Sequence, residues 1–374
     1  PATSTGAQGY KQSGKPVFTP GASVVPMDDT VPMTFEDGSS TKTVPNVGVY
    51  TINPDGSITF TPDKQFVGSP DPVTVKRVDK NGTPVTAKYT PTVTPVTPTA
   101  EPAETTDIQG KEQNGKPEFK PGNPEVPITI TDEQPAQFVV DGNPVTEKEI
   151  PAKDKDGKEV GKYTIDPKSG KVTFTPNKDF VGTPDAITVQ AKDANGTPAT
   201  ATYTPTVTPV TPTAEDVTSK DIQGKTQTGK PTFTPGDDEV PMDDEVPATF
   251  EDGSTTKTIP GEGTYKVNPD GTVTFTPEKN FTGKGTGVTV KRVDKNGTPV
   301  TAKYTPTVKP VTPTAESVTS IGNKGQTQTG KPSFTEGDSR VPMNDKVPAT
   351  FDDGSTTKTV EGVGEVVYVC RPVS

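Results

Sequence analysis

The chain of 374 residues contains no histidine, no tryptophan and no leucine, and it has only one cysteine. Without histidine it lacks the usual general base of enzymes and the imidazole ligand of many metal sites. A single cysteine cannot form an intramolecular disulfide. With no leucine and 44 prolines, each of which costs about 3 kcal/mol inside a helix, the chain can form few amphipathic helices. These absences argue against an enzyme and favour an all-β structure.

Basic residues are outnumbered by acidic ones, 38 to 49, and long apolar runs are absent. The net charge is −11, and no stretch of the sequence is apolar enough to span a membrane. The missing apolar stretch predicts no membrane insertion. Because an acidic chain is repelled by nucleic acids and anionic lipids, we also expect no nucleic-acid partner and no binding to an anionic membrane surface. We expect no cofactor either. The sequence shows neither a signal peptide nor a sorting tail, which predicts an excerpt from a longer protein whose anchor lies elsewhere.

The sequence instead presents one order of motifs three times, with an incomplete fourth copy. The Gly-Lys-Pro motif begins at Gly14, Gly115, Gly229 and Gly330, at intervals of 101, 114 and 101 residues. Such intervals are typical of whole domains, not of short units that must stack to bury a core. We predict four segments, named repeats 1 to 4: 1–97, 101–211 and 215–312 as repeat domains, and 316–374 as an incomplete repeat.

Short alternating runs of Val, Ile, Thr, Phe and Tyr fill each repeat. In repeat 1 a first run lies at Val17-Phe18, and the clearest hairpin runs from Tyr50 to Phe60 around Asn53-Pro54-Asp55-Gly56. About seven strands separated by turn motifs every 8–12 residues predict a β-sandwich. The predicted fold is therefore an all-β tandem array of Ig-like β-sandwich domains of about 100 residues, joined by short Thr/Pro linkers.

Few large side chains are available to fill each core, because aromatic residues make up only 6% of the chain. This composition lies close to that of disordered chains. The alternation of apolar and polar residues nevertheless favours folded repeats, for which we expect a small free energy of unfolding. In each complete repeat, the alternation of apolar and polar residues places one tyrosine and one phenylalanine on the same face of the central hairpin, and a further phenylalanine lies in the loop that follows this hairpin. We predict that these aromatic residues form the structural core: Phe60, Phe174, Phe275, Tyr50, Tyr163, Tyr265, Phe66, Phe180 and Phe281.

The predicted linkers, at 92–100, 206–214 and 307–314, are variants of Thr-Val-Thr-Pro-Val-Thr-Pro-Thr-Ala. Thr-Pro pairs favour extended backbone and make a linker semi-rigid. The linkers are consistent with stiff joints of a stalk and with ordinary exposed connections. Both interpretations predict an elongated monomeric rod.

Two patterns of acidic residues could carry chemistry. Asp79-Lys80-Asn81-Gly82 and Asp154-Lys155-Asp156-Gly157 resemble the opening of a calcium loop, but both lack the glutamate that completes it. Adjacent pairs such as Asp28-Asp29, Asp237-Asp238 and Asp243-Asp244 need not share a site. We therefore predict tight turns and solvated carboxylates, with no metal site and no catalytic residues.

Asparagine and lysine offer two further possibilities. Asn81, Asn195 and Asn296 each precede Gly-Thr and formally match a glycosylation acceptor, but Asn-Gly is also a strong hairpin-turn signal. Internal Lys–Asn cross-links would need matching lysines in every repeat. Lys76 and Lys291 are matched by Gln190 in repeat 2, so a general cross-link at that position is not expected.

Repeats 2 and 4 depart from the shared pattern. The extra length of repeat 2 falls around 141–159, a charged segment that predicts a longer surface hairpin. Repeat 4 follows the others to Gly364 and then diverges, so it lacks the central hairpin and the last two strands. We expect repeat 4 to be disordered or prone to aggregation, and Cys370 in its tail to have no selected role.

Several phrases in combination, at 227–231, 250–257, 268–277, 294–298 and 304–308, resemble the repeats of streptococcal CshA-type fibrillar adhesins. The resemblance covers residues 1–364. It implies repeats that form a long fibril anchored to the cell wall, with ligand binding assigned chiefly to a non-repetitive N-terminal region. That region has no counterpart in this chain, so the resemblance assigns no ligand-binding residues here.

The leading hypothesis is a structural stalk of a Gram-positive surface adhesin, extracellular and cell-wall-anchored, which projects an adhesive tip in cell adhesion and biofilm formation. Its partners would be host extracellular-matrix or salivary glycoproteins and other bacteria, bound through regions outside this chain. The alternative is that the repeats themselves bind host protein or glycan multivalently. The identity of residues 73–93 with 288–308 is compatible with both hypotheses.

Overall fold

A computed structural model describes residues 1–368, and all regular secondary structure in that range is β-strand. The chain forms two compact units, one from Pro1 to Thr211 and one that begins at Pro212. The first unit contains repeats 1 and 2, and the second contains repeats 3 and 4. Within the described residues, no helix is long and apolar enough to cross a membrane.

Repeat 1 is a sandwich of two four-stranded sheets, in the orders β1-β8-β7-β3 and β2-β6-β5-β4. One buried cluster takes residues from both sheets, so the core lies between them. The strands are β1 (Ala2–Ala7), β2 (Gln12–Gly14), β3 (Thr34–Phe35), β4 (Thr41–Val44), β5 (Gly48–Ile52), β6 (Ile58–Pro62), β7 (Val73–Val78) and β8 (Pro84–Thr94).

Repeat 2 has the same two sheets, in the orders β10-β19-β18-β13-β14 and β11-β17-β16-β15, and an additional pair formed by β9 and β12. The segment 141–159 contains the turn between β13 and β14 and most of the β15–β16 hairpin. The strands are β9 (Thr99–Glu101), β10 (Ala103–Ile108), β11 (Gln113–Gly115), β12 (Glu118–Lys120), β13 (Gln137–Val140), β14 (Asn143–Pro144), β15 (Glu149–Lys153), β16 (Glu159–Ile165), β17 (Val172–Pro176), β18 (Ile187–Lys192) and β19 (Pro198–Thr208).

Repeat 3 follows the same plan, with sheets β21-β30-β29-β24, to which β28 adds beside β30, and β22-β27-β26-β25, together with the pair β20-β23. The strands are β20 (Thr213–Glu215), β21 (Val217–Ile222), β22 (Gln227–Gly229), β23 (Thr232–Thr234), β24 (Thr249–Phe250), β25 (Thr256–Ile259), β26 (Gly263–Val267), β27 (Val273–Pro277), β28 (Gly283–Lys284), β29 (Val288–Val293) and β30 (Pro299–Lys309).

In repeat 4 the described residues form two separate hairpins, β31 (Thr314–Glu316) with β32 (Ser333–Thr335), and β33 (Thr357–Val360) with β34 (Gly364–Val367). Their large side chains are exposed: Phe334 is 55% accessible and Val367 is 53% accessible. These strands therefore have unprotected edges and bury no core of their own. Cys370 lies outside the described residues.

In each complete repeat the long last strand has a parallel neighbour near the start of the repeat: β8 pairs with β1, β19 with β10 and β30 with β21. In repeat 1, β1 pairs with β8 from Ala2 opposite Tyr89 to Ala7 opposite Thr94. The other strand pairs of repeat 1 are antiparallel. This pairing was not predicted from the sequence, and it makes one sheet of each repeat mixed.

The predicted central hairpin forms with Tyr50 opposite Phe60. Its loop closes with hydrogen bonds from Gly56 N to Asn53 O (3.0 Å) and from Asn53 N to Ser57 O (2.8 Å), and Gly56 has φ of 83°. This is a three-residue loop, a type I turn followed by a left-handed residue. The Asn81-Gly82 loop has the same form, so its Asn-Gly pair does not make the two-residue type I′ turn typical of that dipeptide.

The apolar run at Val17-Phe18 was predicted to be a strand, and this is wrong for repeat 1, where Val17 is 83% exposed. The equivalent Phe119 and Phe233 do lie in strands, β12 and β23. Those two strands form because the linker strands β9 and β20 pair with them. Whether the residues around Phe18, Phe119 and Phe233 form a strand thus depends on pairing with a linker strand and not on the local sequence.

Candidate functional site: clasp, latch and linker

The nine aromatic residues predicted for the core lie in three separate buried clusters, one in each complete repeat. The hairpin pairs Tyr50–Phe60, Tyr163–Phe174 and Tyr265–Phe275 are at most 1% exposed, with ring centroids 4.7, 5.4 and 4.5 Å apart. The connection residues Phe66, Phe180 and Phe281 are partly buried against these clusters. Each repeat therefore has its own aromatic centre.

A third buried aromatic residue, absent from the predicted set, completes each centre: Tyr89, Tyr203 and Tyr304. Tyr89 packs edge-on against Tyr50 at 6.1 Å, and its hydroxyl lies 2.5 Å from Ser4 Oγ. Ser4 Oγ donates to Gln12 Oε1 (2.8 Å), and Gln12 Nε2 donates to the carbonyl of Thr92 (2.9 Å). We call this set the clasp, because it ties strands β1, β2 and β8 together.

The same clasp occurs in the other complete repeats, as Thr105, Gln113 and Tyr203 and as Ser219, Gln227 and Tyr304. Burial raises the pKa of the Tyr89 phenol, and burial raises the pKa of Tyr50 to about 12. The phenols therefore stay neutral at physiological pH and can act as hydrogen-bond donors.

The glycine of the repeated Gly-Lys-Pro motif lies under the clasp tyrosine. A Cβ built on Gly14 would lie 2.5 Å from Tyr89 Cε1, which no side chain could occupy without moving the ring. Gly115 and Gly229 meet the rings of Tyr203 and Tyr304 in the same way. The motif that first revealed the repeats is thus required by close packing on a buried ring.

A glutamine, buried in repeats 1 and 2 and half-buried in repeat 3, fastens each linker to the repeat that precedes it. Gln8, only 4% exposed, accepts a hydrogen bond from the backbone N of Val96 (3.1 Å) and donates to the carbonyl of Lys64 (2.7 Å). We call this arrangement the latch. It recurs as Gln109 with Val210 and Lys178, and as Gln223 with Val311 and Lys279.

The next part of the linker is held by the repeat that follows. Strand β9, residues Thr99–Glu101, pairs with β12 of repeat 2, and a Cβ on Gly122 would lie 2.7 Å from Thr97 N. Val96 is only 5% exposed. The linker between repeats 1 and 2 is therefore an ordered segment bound at both ends, and the interpretation as an exposed connection is wrong.

Repeats 1 and 2 also contact each other directly, through the Asn195-Gly196 turn between β18 and β19. Asn195 is 5% exposed, and its Nδ2 donates to the backbone carbonyl of Gln8 (3.0 Å). Gln65 Nε2 donates to the Asn195 carbonyl. A Cβ on Gly9 would lie 2.9 Å from Asn195 Cγ, so Gly9 is needed for this approach.

Repeat 3 differs from its neighbours around the hairpin tyrosine. Glu262, 6% exposed, accepts from Tyr265 OH (2.7 Å) and from Thr286 N (2.7 Å). Burial first, and then this hydrogen bond, raises the pKa of Tyr265. In repeat 1 the equivalent position is Val47, and the Tyr50 hydroxyl has no partner within the described residues. The hydrogen-bond partner of the hairpin tyrosine therefore differs between repeats, although the aromatic rings are shared.

The adjacent carboxylates serve as ion-pair partners of loops. Asp29 lies 2.8 Å from Arg77 and Asp244 lies 2.8 Å from Arg292, while Asp28 and Asp243 face Lys80 and Lys295 at 3.6 and 3.2 Å. In these two pairs each aspartate therefore has a separate cation, whereas Asp237 Oδ1 accepts from the backbone N of Glu239 (2.9 Å). Such exposed ion pairs are screened by water and add little to stability.

The candidate calcium loops are tight turns. Asp79 Oδ1 accepts from the backbone N of Asn81 and of Thr83, both at 2.9 Å, and Asp154 Oδ1 accepts from the equivalent nitrogens of its own loop. Among residues 1–368 no group of three acidic or cysteine side chains could hold a metal ion. The oxygens that were candidate ligands thus fasten the turns.

Comparison with known structures gives matches to a single adhesin repeat domain and to tandem domains of other proteins. An NMR structure of repeat domain 13 of the fibrillar adhesin CshA from Streptococcus gordonii is 73% identical, over 19% of this chain and 91% of that one, with a TM-score of 0.13. A titin I9–I11 tandem is 12% identical over 82% of this chain and 96% of that one, with a TM-score of 0.31. No curated protein matches the chain significantly.

Comparison with protein families gives one repeated match. The profile described as the surface adhesin CshA repetitive domain matches residues 1–93, 95–207, 209–308 and 310–369. These four matches cover nearly the whole chain, and they confirm the resemblance found in the sequence motifs. The chain belongs to the CshA repeat family of surface adhesins.

Proposed function

We propose that the chain is a stalk segment of a Gram-positive adhesin fibril, which projects an adhesive tip away from the cell wall. Its family is one of surface adhesins, so the chain is part of an extracellular surface protein. The observation that supports a stalk is the bound linker. The linker between repeats 1 and 2 is fastened to repeat 1 by the latch and to repeat 2 by strand pairing, so it can hold these two repeats in one orientation.

The clasp, the latch and the aromatic centres are all devoted to holding strands and linkers, which supports a structural role and not catalysis. We propose that partners such as matrix or salivary glycoproteins and other bacteria bind through regions outside this chain. We also propose that the chain is a monomeric rod, anchored to the cell wall elsewhere in the full protein.

Removing one latch should loosen one joint. Gln8→Ala deletes both hydrogen bonds and leaves the buried Val96 N–H without its partner, a loss of about 1–3 kcal/mol. We expect the distance between spin labels on Lys42→Cys and Lys168→Cys, in the full chain with Cys370→Ser, to become more broadly distributed. Pulsed electron paramagnetic resonance measures this distribution.

Gln223→Ala is the matched control, because it removes the equivalent latch of repeat 3. It should leave the distance distribution between the labels in repeats 1 and 2 unchanged. An equally narrow distribution with and without the Gln8 side chain would contradict the role given to the latch.

Direct binding separates the stalk from the alternative of an adhesive repeat. A pure stalk should give no saturable binding when the full chain is passed over immobilised fibronectin or salivary glycoproteins. Multivalent adhesion through the repeats would instead give binding whose apparent affinity rises steeply with the density of the immobilised protein. That result, measured by surface plasmon resonance, would overturn the assignment as a spacer.

A further inference from the structure

Repeats 1 and 2 carry the same Asn-Gly-Thr-Pro loop in two different environments. Asn81 is exposed, and among the described residues its side chain makes no hydrogen bond, while its backbone N donates to Asp79 Oδ1. Asn195 is 5% exposed and is held by the contact with repeat 1. The two loops share one backbone form, since Gly82 and Gly196 have φ of 80° and 82°. Only the surroundings of the two side chains differ.

An asparagine followed by glycine can rearrange without an enzyme. The glycine nitrogen attacks the side-chain Cγ, a C–N bond forms, and the amide nitrogen leaves as ammonia with the proton of the glycine nitrogen. Water then opens the resulting succinimide to give aspartate or isoaspartate. Glycine favours this attack because it has no Cβ to hinder the approach and its backbone is conformationally free.

We propose that Asn81 is a site of spontaneous deamidation, and that the contact between repeats 1 and 2 protects the equivalent Asn195. This contact, which we call the joint, is formed by Asn195 with Gln8, Gly9 and Gln65. For the attack, the side chain of Asn195 must rotate towards Gly196. That rotation breaks the bond from Asn195 Nδ2 to the Gln8 carbonyl, and the close approach of Gly9 confines the amide. Asn195 can therefore react only when the joint opens.

The protected residue is also the one whose reaction would damage the joint. A carboxylate at position 195 cannot donate to the Gln8 carbonyl, and it would place a negative charge against that oxygen. At Asn81 the same change would break no side-chain contact in the described structure. The inference does not depend on the stalk role, because it concerns the chemistry of two loops in one chain.

The full chain, incubated for days in mildly alkaline buffer at body temperature, provides the test. Trypsin is unsuitable because residues 81–88 and 296–303 are identical. Cleavage after glutamate gives distinct peptides, 37–101 and 160–215, in which mass spectrometry reports deamidation and an isoaspartate assay confirms it. Because protected groups react only through local opening, we expect Asn81 to react about tenfold or more faster than Asn195.

Two variants open the joint by different means. Gly9→Ala pushes on Asn195, and Gln65→Ala removes one donor to the Asn195 carbonyl. Both should accelerate reaction at Asn195 several-fold and leave Asn81 unchanged. Gly224→Ala is the matched control: Gly224 is the equivalent glycine of repeat 3, with φ of 81°, and nothing lies within 4 Å of its added Cβ.

Equal rates at Asn81 and Asn195 in the unmodified chain would overturn the proposal. So would a stable Asn81, or an unchanged rate at Asn195 in both opening variants. Acceleration at Asn195 by Gly224→Ala would show that general loss of stability, and not the joint, controls the reaction.

Discussion

Phe275→Ala is expected to unfold repeat 3 and to leave repeats 1 and 2 folded. Phe275 is fully buried and packs against Tyr265 at 4.5 Å, in a core with no leucine and no tryptophan that could fill the space. Truncation of a buried Phe to Ala costs about 3–5 kcal/mol. This approaches the whole stability of a small domain, about 5–15 kcal/mol.

Differential scanning calorimetry of the full chain should therefore lose one transition, or shift it to a much lower temperature, and keep the transitions of repeats 1 and 2. Phe334→Ala is the control, because Phe334 is 55% exposed and its truncation leaves no cavity. An unchanged profile for Phe275→Ala would mean that this ring is not the centre of the core.

Gly229→Ala should be the next most damaging change, although it adds only one methyl group. The new Cβ would lie 2.5 Å from Tyr304 Cδ1, and the ring cannot move freely because its hydroxyl is held 2.5 Å from Ser219 Oγ and its edge packs on Tyr265. Overpacking of this kind costs about 1–3 kcal/mol, and more when neighbours cannot adjust. Chemical denaturation should show repeat 3 unfolding at lower denaturant concentration.

Gly330→Ala provides the comparison, since it changes the same motif in repeat 4. Its added Cβ would meet Val318 Cγ1 at 3.2 Å, and Val318 is 46% exposed and can move aside. We expect no measurable change in the unfolding curve. Equal effects of the two substitutions would show that intrinsic backbone preference, and not the tyrosine ring, demands glycine in this motif.

The central hairpin could be predicted from the sequence because its information is local. Alternation places Tyr50 and Phe60 on the buried face, and Pro54, Asp55 and Gly56 specify the loop between the strands. The tandem β-sandwich architecture could also be predicted, from the motif interval and from the lack of helix-forming residues. The hairpin pattern can be read from a few neighbouring residues, and the domain architecture can be read from the motif interval and the composition of the chain.

Strand β1 could not be predicted, because Ala2–Ala7 contains no large apolar side chain and becomes a strand through pairing with β8, more than eighty residues away in sequence. The latch was missed for a related reason. A buried glutamine such as Gln8 resembles a surface residue in sequence, and only the folded chain shows that both ends of its amide have partners. The protection of Asn195 likewise depends on a neighbouring repeat.

The parallel pairing of β1 with β8 determines how a repeat responds when it is stretched. Because the two terminal strands run in the same direction, a pull on the two ends of a repeat drags them past each other lengthwise. All six residue pairs from Ala2–Tyr89 to Ala7–Thr94 then share the load at once, and their hydrogen bonds must fail together instead of opening one by one as in an unzipped hairpin. Each complete repeat should therefore resist a lengthwise pull on its two ends better than a force that peels one strand from the sheet.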